Sequence, residues 1–169
     1  AETYARSGTP VILFNRYVDA PNVSAVCADN LAGGRLVADT LLDSGHQRLA
    51  YIAGTQDTST SRDRERGFVE RLAERGCELI SRAQADYTYE SGYAATTQLL
   101  AIDPRPDAIF CANDIMAIGA IDAIREQGLR VPDDISVIGF DDIPMAAWGA
   151  YQLTTVRQEV DAMIDKTIG

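Results

Sequence analysis

Short apolar runs alternate along this chain with stretches of helical periodicity, and no other property constrains its fold as tightly. Val11 to Phe14, Val23 to Val26, Leu49 to Ile52, Ala108 to Ala112 and Ser136 to Phe140 are each about one strand long. Between them, Asp29 to Ser44 carries Leu31, Leu36, Val37, Thr40 and Leu41 and stops at Gly45; Arg64 to Arg75 pairs Phe68 with Leu72 and Val69 with Ala73 before Gly76. Gly92 to Leu100 and Asp114 to Gln127 repeat the pattern, the second ending at Gly128, with a turn at Pro132-Asp133-Asp134 before the next run. Glycine just past a helix accepts the left-handed backbone of a helix stop. Strands that are apolar throughout, alternating with helices, imply an α/β fold of three layers, a parallel sheet covered on both faces.

The ends read as interior pieces. Glu2 to Pro10 resembles the last turns of a helix, a stop at Gly8 and a proline leading into a strand, while Glu159 to Gly169 has apolar residues at 160, 163, 164 and 168, the spacing of a helix face. The chain is therefore expected to be a fragment. Its 15 basic against 25 acidic residues give a net charge of −10, which repels phosphate backbones and makes this segment a poor grip for nucleic acid. No apolar run is long enough to span a bilayer, so no membrane role is expected. Cys27, Cys77 and Cys111 are far apart and set among apolar or small residues, which suggests reduced core thiols and a cytoplasmic location.

In an open parallel sheet, ligands bind beyond the carboxyl ends of the strands. Here those ends are polar: Gly54 to Arg64 follows one run, Asn113-Asp114 the next and Asp141-Asp142 the last. Asp141 is the leading candidate, because a strand-end carboxylate can accept hydrogen bonds from vicinal hydroxyls or ring N–H groups; Asp142 is given to capping or an outward face. Arg64 stands near a helix start, where the dipole disfavours it, and one turn before Phe68, on the core-facing side. One of Asn113 and Asp114 is expected to cap the next helix, leaving the other for a ligand. Thr58 and Thr60 supply hydroxyls, and Tyr87 a flat face for a ring or sugar, with Tyr93 assigned to the core. His46, after a helix stop, reads as structural.

Catalytic chemistry lacks its parts. There is no GxSxG, GxGxxG or P-loop and no metal-ligand spacing, so neither enzyme activity, nor a cofactor, nor a metal is expected. A magnesium-dependent phosphoryl receiver would place its acidic pair after the first strand, whereas Asp141-Asp142 follows the last clear one.

Several strings together resemble the effector-binding core of LacI/GalR-type bacterial transcription regulators. They are Asp29 to Gly34, Gly45 to Gly54, Arg64 to Phe68, Pro106 to Asp114, Gly128 to Ile143 and Leu153 to Gln158, which occur in the family's order over essentially the whole chain. The resemblance implies a periplasmic-binding-protein-like core, type I, of two α/β subdomains hinged around a cleft. Residues 1–28 would then be the tail of the N-terminal subdomain, 29–156 the C-terminal subdomain and 157–169 a return to the first, with the DNA-binding headpiece absent. It further implies a small polar effector, a sugar or related polyol ahead of a purine or other small polar metabolite, a homodimer with contacts around Met116 to Ile124 and the following strand region, and operator DNA bound through the missing headpiece. Arg64, Asp141 and Asn113 match the family's effector-binding positions, Tyr87, Thr58 and Thr60 fall where some members contact ligand, and Asp29 is assigned to capping and the hinge. The competing expectation is a periplasmic sugar receptor of a transporter, which shares the fold.

Overall fold

The computed structural model describes residues 10–18 and 20–168. Two parallel sheets account for the strands. β1 (Val11–Phe14) and β2 (Val23–Val26) form a small pair, and β3 (Leu49–Ala53), β4 (Ser81–Gln84), β5 (Ala108–Cys111), β6 (Ser136–Asp141) and β7 (Thr154–Arg157) form a five-stranded sheet in the order β4-β3-β5-β6-β7. Among the described residues the helices are α1 (Asn30–Asp43), α2 (Ser59–Glu74), α3 (Tyr89–Leu100), α4 (Asp114–Glu126) and α5 (Val160–Ile168). The expected helix over residues 2–8 lies outside the described residues.

Helix α1 packs on α2, and α3 on α4; right-handed crossovers put these pairs on opposite faces of the sheet. Strands β3 and β5 are buried along their whole length and β6 at all but its two end residues, and Tyr51, Phe68 and Phe110 cluster at the centre with ring centroids 4.9–5.9 Å apart. Close approach of α1 and α2 depends on two glycines: a Cβ on Gly34 would lie 2.3 Å from the Arg64 carbonyl oxygen, and one on Gly67 would lie 2.1 Å from that of Leu31. The strand order reverses beside β3, whose neighbours are reached in opposite directions. That opens a crevice at the carboxyl ends of β3 and β5.

Several expectations change. Helix α2 begins at Ser59, five residues before Arg64, because Thr58 caps it with a side chain that accepts from Ser61 N–H; the polar stretch 59–63 carries no apolar residue to mark a period. Helix α3 likewise starts at Tyr89, behind the Thr88 cap. The polar edge strands β4 and β7 lack the apolar signature that marks the inner ones. Cys111 is buried, but Cys27 and Cys77 are only half-buried. Tyr93 is also half-buried, its hydroxyl bonded to Glu126. In α5 only Met163 is buried, and Val160, Ile164 and Ile168 are exposed. Most of Met116 to Ile124 is buried, and Asp122 within it is half-buried. Among the described residues, no helix is long and apolar enough to cross a membrane.

Candidate functional site

Arg64 is the centre of the strand-end crevice. It sits in the second turn of α2, so the dipole argument for its being held in place weakens, and its contacts supply the reason instead. Only 3% exposed, it donates from Nε to Asn30 Oδ1 (2.8 Å) and from Nη1 to the Ala112 carbonyl (2.5 Å), while Nη2 lies 3.0 Å from Asp141 Oδ1. Its guanidinium also stands 3.8 Å over the Phe140 ring. A buried cation held by a carboxylate, an amide, a carbonyl and an aromatic face is oriented as well as neutralised.

Asp141 ends β6 with φ 120°, and Asp142 comes next at φ 57°, so two consecutive non-glycine residues occupy the left-handed half of the map. Tyr87, after β4, has φ 70°. Strained backbone of this kind is held in place only by its surroundings, and it gathers at ligand sites. Asp141 Oδ1 accepts from Arg64 and from Gln158 Nε2 (2.5 Å), while among the described residues no donor reaches Oδ2. Burial raises the Asp141 pKa and the Arg64 charge opposes the rise. Asp142 turns outward to Arg157, whose Nε donates to it at 2.5 Å; it caps no helix, and the adjoining 3-10 turn, Pro144–Ala147, has no side-chain cap.

Asn113 is the cap of α4. Its Oδ1 accepts from Met116 N–H (2.9 Å) and its Nδ2 donates to the Tyr87 carbonyl (3.4 Å). Asp114 does not turn to the crevice. Fully buried, it accepts from Ile143 N–H (2.9 Å) and the Thr155 hydroxyl (2.5 Å), and burial pushes its pKa up to about 6. Thr58 Oγ1 lies 3.1 Å from the Tyr87 hydroxyl and accepts from Thr60 Oγ1 at 3.5 Å. The Tyr87 ring covers Gly54, where any Cβ would strike it. Arg64, Asp141, Asn113, Tyr87, Thr58 and Thr60 are therefore linked in one polar network, joined through Ala112-Asn113.

Asn30, Phe140 and Gln158 are not singled out by the sequence. Asn30 stands in the Asp29-Asn30 helix start, where only Asp29 is expected to have a role; Asp29 does cap α1, accepting from Ala32 N–H at 2.9 Å. Gln158 lies just past β7, a strand without an apolar signature. His46 pairs with Asp107 at 3.5 Å, away from the crevice. Among the described residues, no cluster of His, Cys, Asp or Glu could hold a metal.

Comparison with known proteins identifies the fold family. The periplasmic binding protein-like domain family matches residues 38–168. The HTH-type transcriptional repressor PurR of Mannheimia succiniciproducens is 37% identical over 151 residues, which is 88% of this chain and 45% of that protein. The chain belongs to the LacI/GalR-type branch of that family. The regulator CelR of Thermobifida fusca is 38% identical to this LacI-type core over 93% of the chain and 47% of its own length. Among solved structures, a LacI transcriptional regulator from a Rhodococcus species superposes with a TM-score of 0.92 at 30% identity, over 98% of this chain and 62% of that one. A CelR–cellobiose complex gives 0.88 at 36% identity, over 95% and 50%. The LacI-type core spans about half the length of the curated relatives it matches. Those relatives are named as transcriptional regulators, not as enzymes.

Proposed function

We propose that this chain is the effector-sensing core of a LacI-type transcription regulator, and that its strand-end crevice holds a sugar or related polyol. The observation that carries this reading is the Arg64–Asp141 pair: a buried, fully oriented guanidinium beside a carboxylate with one oxygen free. Vicinal hydroxyls can donate to Asp141 Oδ2 while accepting from Arg64, and Tyr87 offers a face for the ring. Thr58, Thr60 and Asn113 complete the polar rim. That a relative of known structure holds cellobiose supports a carbohydrate over other small polar ligands.

The separation of β1–β2 from the five-stranded sheet supports a division into residues 1–28 and 157–169 of one subdomain and 29–156 of another. An effector between them favours one hinge angle, and differential binding to two angles changes operator affinity at a headpiece outside this chain. Homodimer contact fits the face of α3 and α4 around Asp122, within the Met116 to Ile124 stretch, together with the neighbouring Trp148–Tyr151 turn. There Tyr89 and Tyr151 both donate to Asp122 at 3.0 Å and Trp148 is 56% exposed, a composition typical of interface hot spots.

In the full-length protein, Asp141→Ala is expected to abolish the effector's influence on operator binding while leaving that binding itself largely intact. Calorimetry with a panel of sugars checks the first half, and unchanged sugar affinity in the variant removes Asp141 from the site.

A further inference from the structure

The turn that carries Asp141 is held from its buried side by a relay of hydrogen bonds. Asp141 and Asp142 both have positive φ, a conformation that non-glycine residues keep only where their surroundings fix it. Three successive peptide planes define the two residues. The first belongs to the β6–β7 pairing, in which Asp141 stands opposite Arg157. The second is fixed by the Asp142 N–H, which donates to Thr155 Oγ1 (3.3 Å), and the third by the Ile143 N–H, which donates to Asp114 Oδ2 (2.9 Å). The Thr155 hydroxyl donates in turn to Asp114 Oδ1 (2.5 Å), so both amides end on one carboxylate. Asp114 lies in the first turn of α4, where the helix dipole favours a negative charge. To reach Thr155 it crosses β6 at Gly139, which stands opposite Thr155 in the sheet and where a Cβ would strike Asp114 Oδ1. A glycine inside a buried strand marks such a close approach.

We propose that Thr155 and Asp114 are positioning residues for the effector site, fixing the Asp141–Asp142 turn so that Asp141 meets Arg64 with its second carboxylate oxygen open to the ligand. The proposal rests on the reading of Asp141 as an effector contact. Other ties to this turn are weaker or act elsewhere. Arg157, which pairs with Asp142, is 73% exposed along its side chain, and solvent screens such a pair. Gln158 bonds the Asp141 side chain and does not fix its backbone. The relay ends on a fully buried carboxylate whose pKa burial pushes up to about 6, so it is mostly ionised at neutral pH and both of its bonds are charge-assisted. The direction in which Asp141 leaves the backbone, and with it the 3.0 Å approach to Arg64, follows from the first two planes. A binding group displaced by more than about 0.5 Å loses its productive geometry. Thr155 directs its hydroxyl proton to Asp114, so it acts through the turn and not on the ligand.

Thr155→Val keeps the shape and removes the hydroxyl, Thr155→Ser keeps the hydroxyl, and Asp141→Asn is the reference for a lost ligand contact. Cellobiose, maltose and glucose are the probes, titrated by calorimetry into full-length proteins whose melting curves show them folded; Asp114→Asn replaces Thr155→Val should the latter not fold. Thr155→Val should weaken sugar binding about tenfold or more, and Thr155→Ser should stay within about threefold of wild type. Wild-type affinity in Thr155→Val with Asp141→Asn impaired overturns the proposal and leaves the sugar reading standing, since the relay then serves stability alone. An equal loss in Thr155→Val and Thr155→Ser also overturns it, because the effect then comes from packing and not from the hydroxyl. If no probe binds wild type, or Asp141→Asn binds as well as wild type, it is the sugar reading that fails, and a crystal structure of Thr155→Val decides the positioning. Positive φ kept at both aspartates with Asp141 still 3.0 Å from Arg64 overturns it, and a turn released from that conformation supports it.

Discussion

Two strands of this sheet end in the same way in sequence and differently in space. After β5 come Asn113 and Asp114, and at the end of β6 come Asp141 and Asp142, each a polar pair behind an apolar strand. At the β5 end both side chains support the fold: Asn113 caps α4 through its oxygen while its Nδ2 reaches the Tyr87 carbonyl, and Asp114, fully buried, holds the β6–β7 connection through Ile143 and Thr155. At the β6 end neither side chain supports a helix. Asp141 keeps an oxygen open beside Arg64, and Asp142 reaches the segment that leads toward α5. The difference comes from the next few residues of the chain. Helix α4 starts at once after β5 and takes the cap, whereas the left-handed backbone at Asp141 and Asp142 turns the chain away before a helix can form. A strand-end carboxylate keeps an oxygen open for a ligand where no helix start or buried loop claims it.

The comparison is broken most severely through the protonation of Asp114. Its folded pKa, about 6, is raised above the ordinary 3.8 chiefly by burial, so the native state takes up a proton before the unfolded chain does. Stability from this group is present when the pH is low and is lost as pH rises from about 4 through 6, a swing approaching about 3 kcal/mol in all. The unfolding free energy of wild type relative to Asp114→Asn should therefore rise by about 1 kcal/mol between pH 7 and pH 5. Denaturant titrations at the two pH values measure it, and a flat difference would show that the carboxylate is already well solvated. At pH 7, Asp114→Ala should cost about 2 kcal/mol, since it leaves the Ile143 N–H without its acceptor.

Much of this is legible in the residues. The inner strands and the helix stops at Gly45, Gly76 and Gly128 announce themselves because full burial demands unbroken apolar runs and the stops demand a left-handed residue. The edge strands β4 and β7 stay hidden because an edge buries one face at most and tolerates Ser, Arg, Gln and Thr. A hidden β7 conceals Gln158 as well, whose bond to Asp141 depends on where that strand ends. At the site, the strand-end rule finds Arg64 and Asp141 but not Asn30, since its contact with Arg64 spans 34 residues and arises from the glycine-mediated closeness of α1 and α2. Whether Asn113 or Asp114 caps α4 also cannot be read from the sequence, because both residue types cap equally well.

A milder test compares the caps themselves. Asn113→Ala removes the acceptor for Met116 N–H and should cost about 1 kcal/mol of stability, as cap deletions do. It also removes the Nδ2 contact that links this cap to the carbonyl of Tyr87, the residue of left-handed backbone after β4. Asn113→Asp keeps the cap and loses only that donor. If Asn113 serves the fold alone, the two variants should separate in melting temperature but share wild-type sugar affinity; if it also serves the ligand, both should bind sugar more weakly.

The smallest effect is expected at Asp142. Its partner Arg157 is 73% exposed along the side chain, and an ion pair so open to water contributes little, because solvent screens it and both side chains lose freedom in forming it. Arg157→Ala should change the unfolding free energy by about 0.5 kcal/mol or less, within the error of most denaturant titrations. Its value as a test lies elsewhere. Arg157 and Gln158 clasp Asp142 and Asp141 in succession, so the segment leaving β7 is tied to the β6 strand end at two adjacent points. Releasing the outer tie while leaving the inner one should alter how strongly a bound sugar shifts operator affinity more than it alters sugar affinity itself. Measuring both in the full-length protein separates the two: equal, proportionate losses would mean that Asp142 belongs to the binding surface, and the contrast between the two strand ends would then rest on Asp141 and Asp142 together.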